Sequence, residues 1–171
     1  VLIRHIEFQI VERGFKEGWI KPMTLSTKTG KQIAVIGSGP AGLAAAQQLA
    51  RAGHNVVVFE KDEKIGGILR YGIPDFKLEK DIIDRRIEQL MAEGVEFQTD
   101  VDVGRDISAH YLQKMFDCVC LTMGAGKPRD LNVPGRGYEN IFFAMDYLTA
   151  QNKLNSKEAI DESKIINAKD K

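Results

Sequence analysis

The chain has only two cysteines, Cys118 and Cys120, and three histidines among its 171 residues. A C-x-C pair supplies too few ligands for a metal site or an iron–sulfur cluster. His5, His54 and His110 are scattered, without partners at metal-ligand spacing, so surface or structural roles are expected for them. The cysteines lie two apart in an apolar run, which points both to one side of a strand. They read as buried small hydrophobes. Neither sign of charge dominates: Lys+Arg and Asp+Glu both total 24. That balance removes the electrostatic case for nucleic acid or an anionic membrane. No apolar run approaches the roughly 20 residues of a membrane-crossing helix, and no signal peptide is visible. No nucleophile–base pair stands out. No catalytic or metal-binding residue is therefore assigned, and any chemistry is expected to belong to a bound cofactor. What remains is an ordinary globular composition, 43% hydrophobic and 28% charged, in a chain long enough for one domain with a real core.

The informative stretch is 31–61, KQIAVIGSGPAGLAAAQQLARAGHNVVVFEK. It reads as a strand, a glycine turn, an alanine-rich helix closed by Gly53, a second strand, and an acid. Gly37, Gly39 and Gly42 form G-x-G-x-x-G, and Glu60 follows Gly42 by eighteen residues. In that context the three glycines serve in turn a sharp bend off the strand, a bare backbone for a pyrophosphate, and close packing of the helix on the sheet. The helix N-terminus supplies amides and a favourable dipole for the phosphates. An acid at position 60 suits a ribose without a 2′-phosphate, as in FAD or NAD, and would repel NADP. Low cysteine usage beside a nucleotide motif suggests a cytoplasmic protein.

Around this unit the pattern is α/β. Residues 1–20 carry Leu2, Ile6 and Ile10 near helical spacing and predict an amphipathic helix, with Trp19 and Ile20 packing onto the body. Residues 22–30 read as a polar linker. Beyond Glu60, the doublet Gly66-Gly67 is either a loop beneath an extended cofactor or a tight structural turn. Residues 68–78, ILRYGIPDFKL, hold Gly72 and Pro74 and predict a loop. Its Arg70 and Lys77 are ligand contacts or solvated surface cations. Residues 79–93 predict a helix with Ile82, Ile83, Ile87, Leu90 and Met91 as its buried stripe, and with Asp84, Arg85, Arg86, Glu88 and Gln89 on a solvated face. Residues 95–97 begin a third strand, which Val101 and Val103 continue. Val103 either meets an adenine edge or is a core valine. Ser108 is a candidate N-cap for a short helix over 108–116. A buried-type strand over 117–122 ends in the small residues around Gly124, leaving room for a ligand at the carboxyl edge of a parallel sheet. Residues 141–148 predict a helix, and 150–171 a polar connector.

Three segments carry a resemblance: the motif stretch just quoted, GGILRYGIPDFKLEKDIIDRRI, and LTMGAGKPRDLNVPG. Together they closely resemble the small (beta) subunits of bacterial-type glutamate synthases, a group shared with dihydropyrimidine dehydrogenase and ferredoxin-linked reductases. The resemblance implies a three-layer Rossmann-like FAD-binding domain with a parallel sheet, preceded by an N-terminal helix. It implies an oxidoreductase that takes a hydride from NAD(P)H onto FAD. Electrons would then pass through iron–sulfur clusters to a large subunit making glutamate from glutamine and 2-oxoglutarate. On this chain it implies that Gly37, Ser38, Gly39, Pro40, Ala41 and Gly42 meet the pyrophosphate. Glu60 would hold the adenosine ribose with Lys61 beside it, and Gly66, Gly67 and Ile68 would line the cofactor's middle and flavin end. Lys77 would contact the cofactor as a cation, Val103 the adenine, and Gly124 would lie near it.

The pattern is incomplete relative to that group. The upstream cluster cysteines, the second glycine motif for NAD(P)H and the returning FAD segment are missing, and 103–117 is too short for a long β-meander crossover. The chain begins with Val1, not Met. It is therefore expected to be a fragment, with 1–30 as helix and linker, 31–150 as the first part of the FAD domain, and 151–171 as a connector toward an NAD(P)H domain. The fragment alone is expected to be inactive and to hold FAD weakly or not at all. Two alternatives stay open: the FAD module of a related ferredoxin-linked NAD(P) reductase, and a non-catalytic nucleotide-binding module.

Overall fold

Four short runs form strands: β1 (Gln32–Ile36), β2 (Asn55–Phe59), β3 (Val95–Gln98) and β4 (Cys118–Leu121). The structure, a computed structural model, describes residues 2–161 and 165–166. The strands make one parallel sheet in the order β3-β2-β1-β4. The chain goes from β1 outward to β2 and β3, then returns to place β4 on the other side of β1. The carboxyl ends of β1 and β4 thus flank a topological switch point, where ligands of open α/β sheets bind.

The period-two alternation of the strands divides the core. Val35, Val56, Val58 and Val95 point to one face and meet Leu43, Ala46 and Ala50 of α2 (Pro40–Arg51) and Leu90 of α4 (Lys80–Ala92). Ala34, Ile36 and Phe59 point to the other face, against Leu112 of α5 (Ala109–Met115). Helices thus pack on both faces, α2 and α4 on one and the short α5 over part of the other. Val35, Val58 and Leu90 are fully buried, and each such side chain contributes about 1.5–3 kcal/mol. The α5 N-cap is Ser108 as expected: its hydroxyl accepts the Tyr111 amide at 3.1 Å.

Other elements depart from the sequence reading. A helix α1 (Ile3–Lys16) forms, but its apolar stripe faces solvent, with Leu2 69%, Ile6 58%, Ile10 64% and Trp19 68% exposed. The first predicted helical residue, Val1, lies outside the described residues. The helix is held instead by its polar side. Arg85 of α4 donates to both Glu12 oxygens, at 2.9 and 2.5 Å, and stacks over Phe15 at 4.0 Å.

The solvated face expected on α4 is also different. Gln89 and Glu93 are buried while Met91 is 57% exposed. The Glu93 carboxylate collects Arg51 (2.9 and 2.6 Å), Gln47 (2.9 Å), Gln89 (3.0 Å) and the Met23 amide (3.3 Å). Through the Met23 amide that cluster ties the start of the otherwise exposed 22–30 linker to α2 and α4. Burial opposes the charge on Glu93, yet the Arg51 and Gln47 hydrogen bonds outweigh it and hold the carboxyl below its ordinary range.

Cys118 is exposed and Cys120 half-buried, because β4 is the edge of the sheet. Leu121 at its end is 67% exposed. Val103 does not extend β3; it forms a single bridge with Ile107. The last helix, α6 (Ala144–Asn155), starts later than expected and runs past residue 148. It buries Ala150 and Asn152 against the short helix α3 (Ile68–Tyr71), where Asn152 Nδ2 donates to the Tyr71 carbonyl at 2.9 Å. The connector expectation also covers 162–164 and 167–171, which lie outside the described residues.

Candidate functional site

The glycine turn is built at the switch point. Gly37 has φ +99°, and a Cβ there would lie 2.7 Å from the Thr122 carbonyl oxygen. A side chain would therefore meet both a strained backbone and the end of β4. A Cβ on Gly42 would lie 1.9 Å from the Gly37 carbonyl oxygen, so the first turn of α2 packs directly on the turn. Gly39, the α2 N-cap, is the opposite case: among the described residues nothing lies within 4 Å of a Cβ built on it. Pro40 follows at N1, pre-set for the helix and lacking an amide that would go unbonded there. The bare Gly39 backbone and the first-turn amides thus open onto space, the geometry an incoming pyrophosphate needs.

Thr122 is a residue that sequence reasoning passed over. Its hydroxyl lies 2.8 Å from the Ile36 carbonyl and 3.0 Å from that of Gly37. This ties β4 to the turn from below. Only its place at a strand end next to small residues could have marked it.

Glu60 stands at the end of β2 and is 5% exposed. Its Oε2 accepts the Ser38 amide at 3.0 Å and the Ser38 hydroxyl at 2.5 Å, and its Oε1 accepts the Asp62 amide at 3.0 Å. A carboxylate has about four lone-pair sites, so room for one more donor remains, on the Oε1 side. Asp62, half-buried beside it, has its carboxyl raised by burial and by the Glu60 charge. Lys61 is exposed.

The glycine doublet closes the third side. The Gly66 amide donates to Ser38 Oγ at 2.9 Å. Gly67 has φ +51°, and a Cβ on it would lie 3.0 Å from the Gly39 Cα. The doublet therefore sits against the glycine turn, and 54%-exposed Ile68 begins the wall beyond it. The following segment is not wholly loop, since α3 occupies Ile68–Tyr71. Arg70 is neither solvated nor available: its Nε donates to the Ile65 carbonyl at 2.6 Å and its guanidinium pairs with Asp84. Lys80 gathers the Ile73 carbonyl at 2.5 Å and the Leu69 carbonyl at 3.3 Å, and so shapes the 73–78 loop. At the loop's tip Phe76 is 85% exposed, with Lys77 Nζ 5.9 Å from its ring centre.

The structure thus brings Gly37, Ser38, Gly39, Pro40, Ala41, Gly42, Glu60, Gly66 and Gly67 to one corner. Val103 lines an apolar hollow on the α5 side of the sheet with Ile36, Leu112, Val119 and Leu121. Gly124 is exposed beyond β4, with open space around it. Among the described residues no group of three His, Cys, Asp or Glu could hold a metal ion. No helix among them is long and apolar enough to cross a membrane. The donor set, the first-turn amides of α2 beside a buried carboxylate with lone-pair capacity left at Oε1, fits the pyrophosphate and ribose of an adenine dinucleotide.

Comparison with known proteins agrees with this chemistry. The family model "Pyridine nucleotide-disulphide oxidoreductase" matches residues 31–166. The chain is 50% identical over 163 residues, 95% of its length, to the "Glutamate synthase [NADPH] small chain" of Mycobacterium tuberculosis, covering 33% of that protein. It is 47% identical over 171 residues, 100% of its length, to the protein of the same name from Bacillus subtilis, covering 35% of it. The chain therefore spans about a third of the length of the curated relatives it matches. Among solved structures it resembles Mycobacterium tuberculosis FprA in complex with NADPH, with a TM-score of 0.65 and 26% identity, over 72% of this chain and 29% of that one.

Proposed function

Because this chain belongs to the pyridine nucleotide-disulphide oxidoreductase family, we propose that it is the FAD-binding part of a glutamate synthase small chain. The observation that carries the reading is the corner where the open Gly39 backbone, the α2 N-terminus and the buried Glu60 carboxylate converge. The small-chain relatives, matched over 95% or more of this sequence, support that choice of enzyme. Residues 31–150 hold the FAD part, 1–30 precede it as helix and linker, and 151–171 lead toward an NAD(P)H domain.

Within this reading Gly39, Ala41 and Gly42 present backbone amides to the pyrophosphate, with Gly37 and Pro40 shaping the turn. Glu60 accepts a ribose hydroxyl at Oε1. Lys61 flanks the adenosine end, Val103 the adenine, and Gly66, Gly67 and Ile68 the middle and flavin end. Lys77 meets the cofactor as a cation, and Gly124 borders it from the β4 side. Bound FAD would supply the redox chemistry, taking a hydride from NAD(P)H and giving up its two electrons one at a time while the proton is released. This chain's share is to bind, orient and partly shield it. In the whole protein the electrons go through iron–sulfur clusters to a large-chain partner in the cytoplasm, where glutamate is made from glutamine and 2-oxoglutarate.

The test is a titration of the protein with FAD, followed by flavin fluorescence, with NAD as control. Saturable binding selective for FAD and weakened at least tenfold by Glu60→Ala is expected. Preference for NAD over FAD would overturn the reading.

A further inference from the structure

We propose that Ser38 is a positioning residue that aims Glu60 at the adenosine ribose and locks the glycine doublet to the glycine turn. The inference rests on the dinucleotide reading above and deepens it. Ser38 occupies the first x of G-x-G-x-x-G, a place where the motif itself asks for no side-chain chemistry. Yet it is 0% exposed, and every polar atom of its side chain is spoken for within the protein. Its amide (3.0 Å) and its hydroxyl (2.5 Å) both donate to the same oxygen, Oε2 of Glu60. Its hydroxyl oxygen accepts the buried Gly66 amide at 2.9 Å.

Two consequences follow. First, with Oε2 doubly occupied, the carboxylate cannot rotate without breaking both bonds. Oε1, which among the described residues receives only the Asp62 amide, at 3.0 Å, is left as the oxygen with spare capacity. Ser38 therefore decides which edge of Glu60 a ligand meets. Second, one hydroxyl ties the turn after β1 to two points more than twenty residues further along the chain, the end of β2 at Glu60 and the loop at Gly66. Gly67 then comes to rest 3.0 Å, measured from its built Cβ, from the Gly39 Cα. Removing the hydroxyl frees the Glu60 side chain to swing and strands the Gly66 amide without an acceptor. Since both Ser38 donors face Glu60, the side chain is turned inward, away from the space in front of Gly39.

The experiment compares the affinity of flavin-free protein for ADP and for 2′,3′-dideoxy-ADP, which keeps the phosphates and adenine but lacks both ribose hydroxyls. Calorimetry on wild type, Ser38→Ala and Ser38→Cys reads the ratio. Wild type should prefer ADP about tenfold or more, the value of one hydrogen bond to a charged acceptor. In Ser38→Ala the ratio should fall below about threefold. Ser38→Cys, of similar size but a weak donor, should fall in the same direction, and it decides the matter alone if the alanine variant does not fold. A residue that merely stabilises the fold, or one that touches the pyrophosphate, would weaken both ligands equally and leave the ratio intact; that result overturns the role given to Ser38. A wild-type ratio near one would instead overturn the Glu60–ribose contact on which the inference stands. No binding of either nucleotide to wild type would overturn the dinucleotide site itself.

Discussion

Gly39→Ala separates folding from binding in a way the other glycines cannot. At this position φ is −66° and ψ −176°, extended backbone that any residue adopts. Among the described residues no atom lies within 4 Å of the added methyl. Two small opposing effects act on stability. Replacing glycine restricts the unfolded chain and favours the native state by about 0.4–1 kcal/mol. Alanine is a poorer N-cap than glycine, at a cost of about half a kcal/mol or more. The net change is within about 1 kcal/mol, a shift in Tm of no more than roughly 4 °C for a domain of this size. The methyl does, however, project into the space in front of the α2 amides, where a pyrophosphate would have to approach the backbone. FAD affinity should fall at least tenfold while thermal unfolding stays close to wild type. Differential scanning fluorimetry and flavin fluorescence titration on the same preparation give both numbers. A variant that binds FAD as tightly as wild type would refute the reasoning, because the open space would then not be the pyrophosphate site. A variant that unfolds would show that the space is occupied in the native protein.

Gly42→Ala should behave oppositely. Its Cβ must move from 1.9 Å to at least 3.0 Å from the Gly37 oxygen, backbone against backbone. Overpacking of about 1–3 kcal/mol should therefore appear in chemical denaturation together with lost FAD binding. Glu93→Gln removes the charge at the centre of the buried cluster that includes Arg51, Gln47 and Gln89. Arg51 keeps 25% of its side-chain exposure, so a loss of about 3 kcal/mol is expected, read from urea midpoints at neutral pH. Because the folded-state pKa of Glu93 is lowered, that contribution is complete above the unfolded value of 4.5 and disappears as pH falls through the folded value. The wild-type and Glu93→Gln stability curves should thus converge on acidification, not on alkalinisation. Thr122→Val deletes the hydroxyl contacts to the Ile36 and Gly37 carbonyls. It should destabilise by about 0.5–1.5 kcal/mol, and a urea titration will show whether it does.

Much of the site was legible because its signals are local. The strand–turn–helix–strand–acid order over 31–61 fixes β1, α2 and β2 within a few residues, and each glycine in it answers to one nearby atom or to open space. The helix over Lys80–Ala92 was equally plain in periodicity, but which polar residues it buried was not. Gln89 and Glu93 look like surface residues until Arg51 and Gln47, about forty positions earlier, come to meet them. The same limit applies to Arg70, which reads as a loop cation and is a buried clamp on Asp84 and the Ile65 carbonyl. It applies in reverse to Cys118 and to α1. Their apolar patterns imply burial, but the first lies on an edge strand and the second touches the body through Glu12 and Phe15.

The amino-acid sequence alone determined the α/β class, the parallel order of its first two strands around a glycine turn, and the presence of an acid at the right remove for a ribose. Those features depend on backbone geometry and on side-chain periodicity within some thirty residues, and such short-range constraints are written in residue order. Only the tertiary structure decided that Ser38 would spend both its donors on Glu60 and its oxygen on Gly66. It also decided that Thr122 would brace the turn from β4 and that a buried carboxylate would fasten the linker. Each of these is a hydrogen bond between segments brought together by the sheet. A buried donor or acceptor must find a partner wherever the fold has placed one, and no spacing in the chain records where that will be.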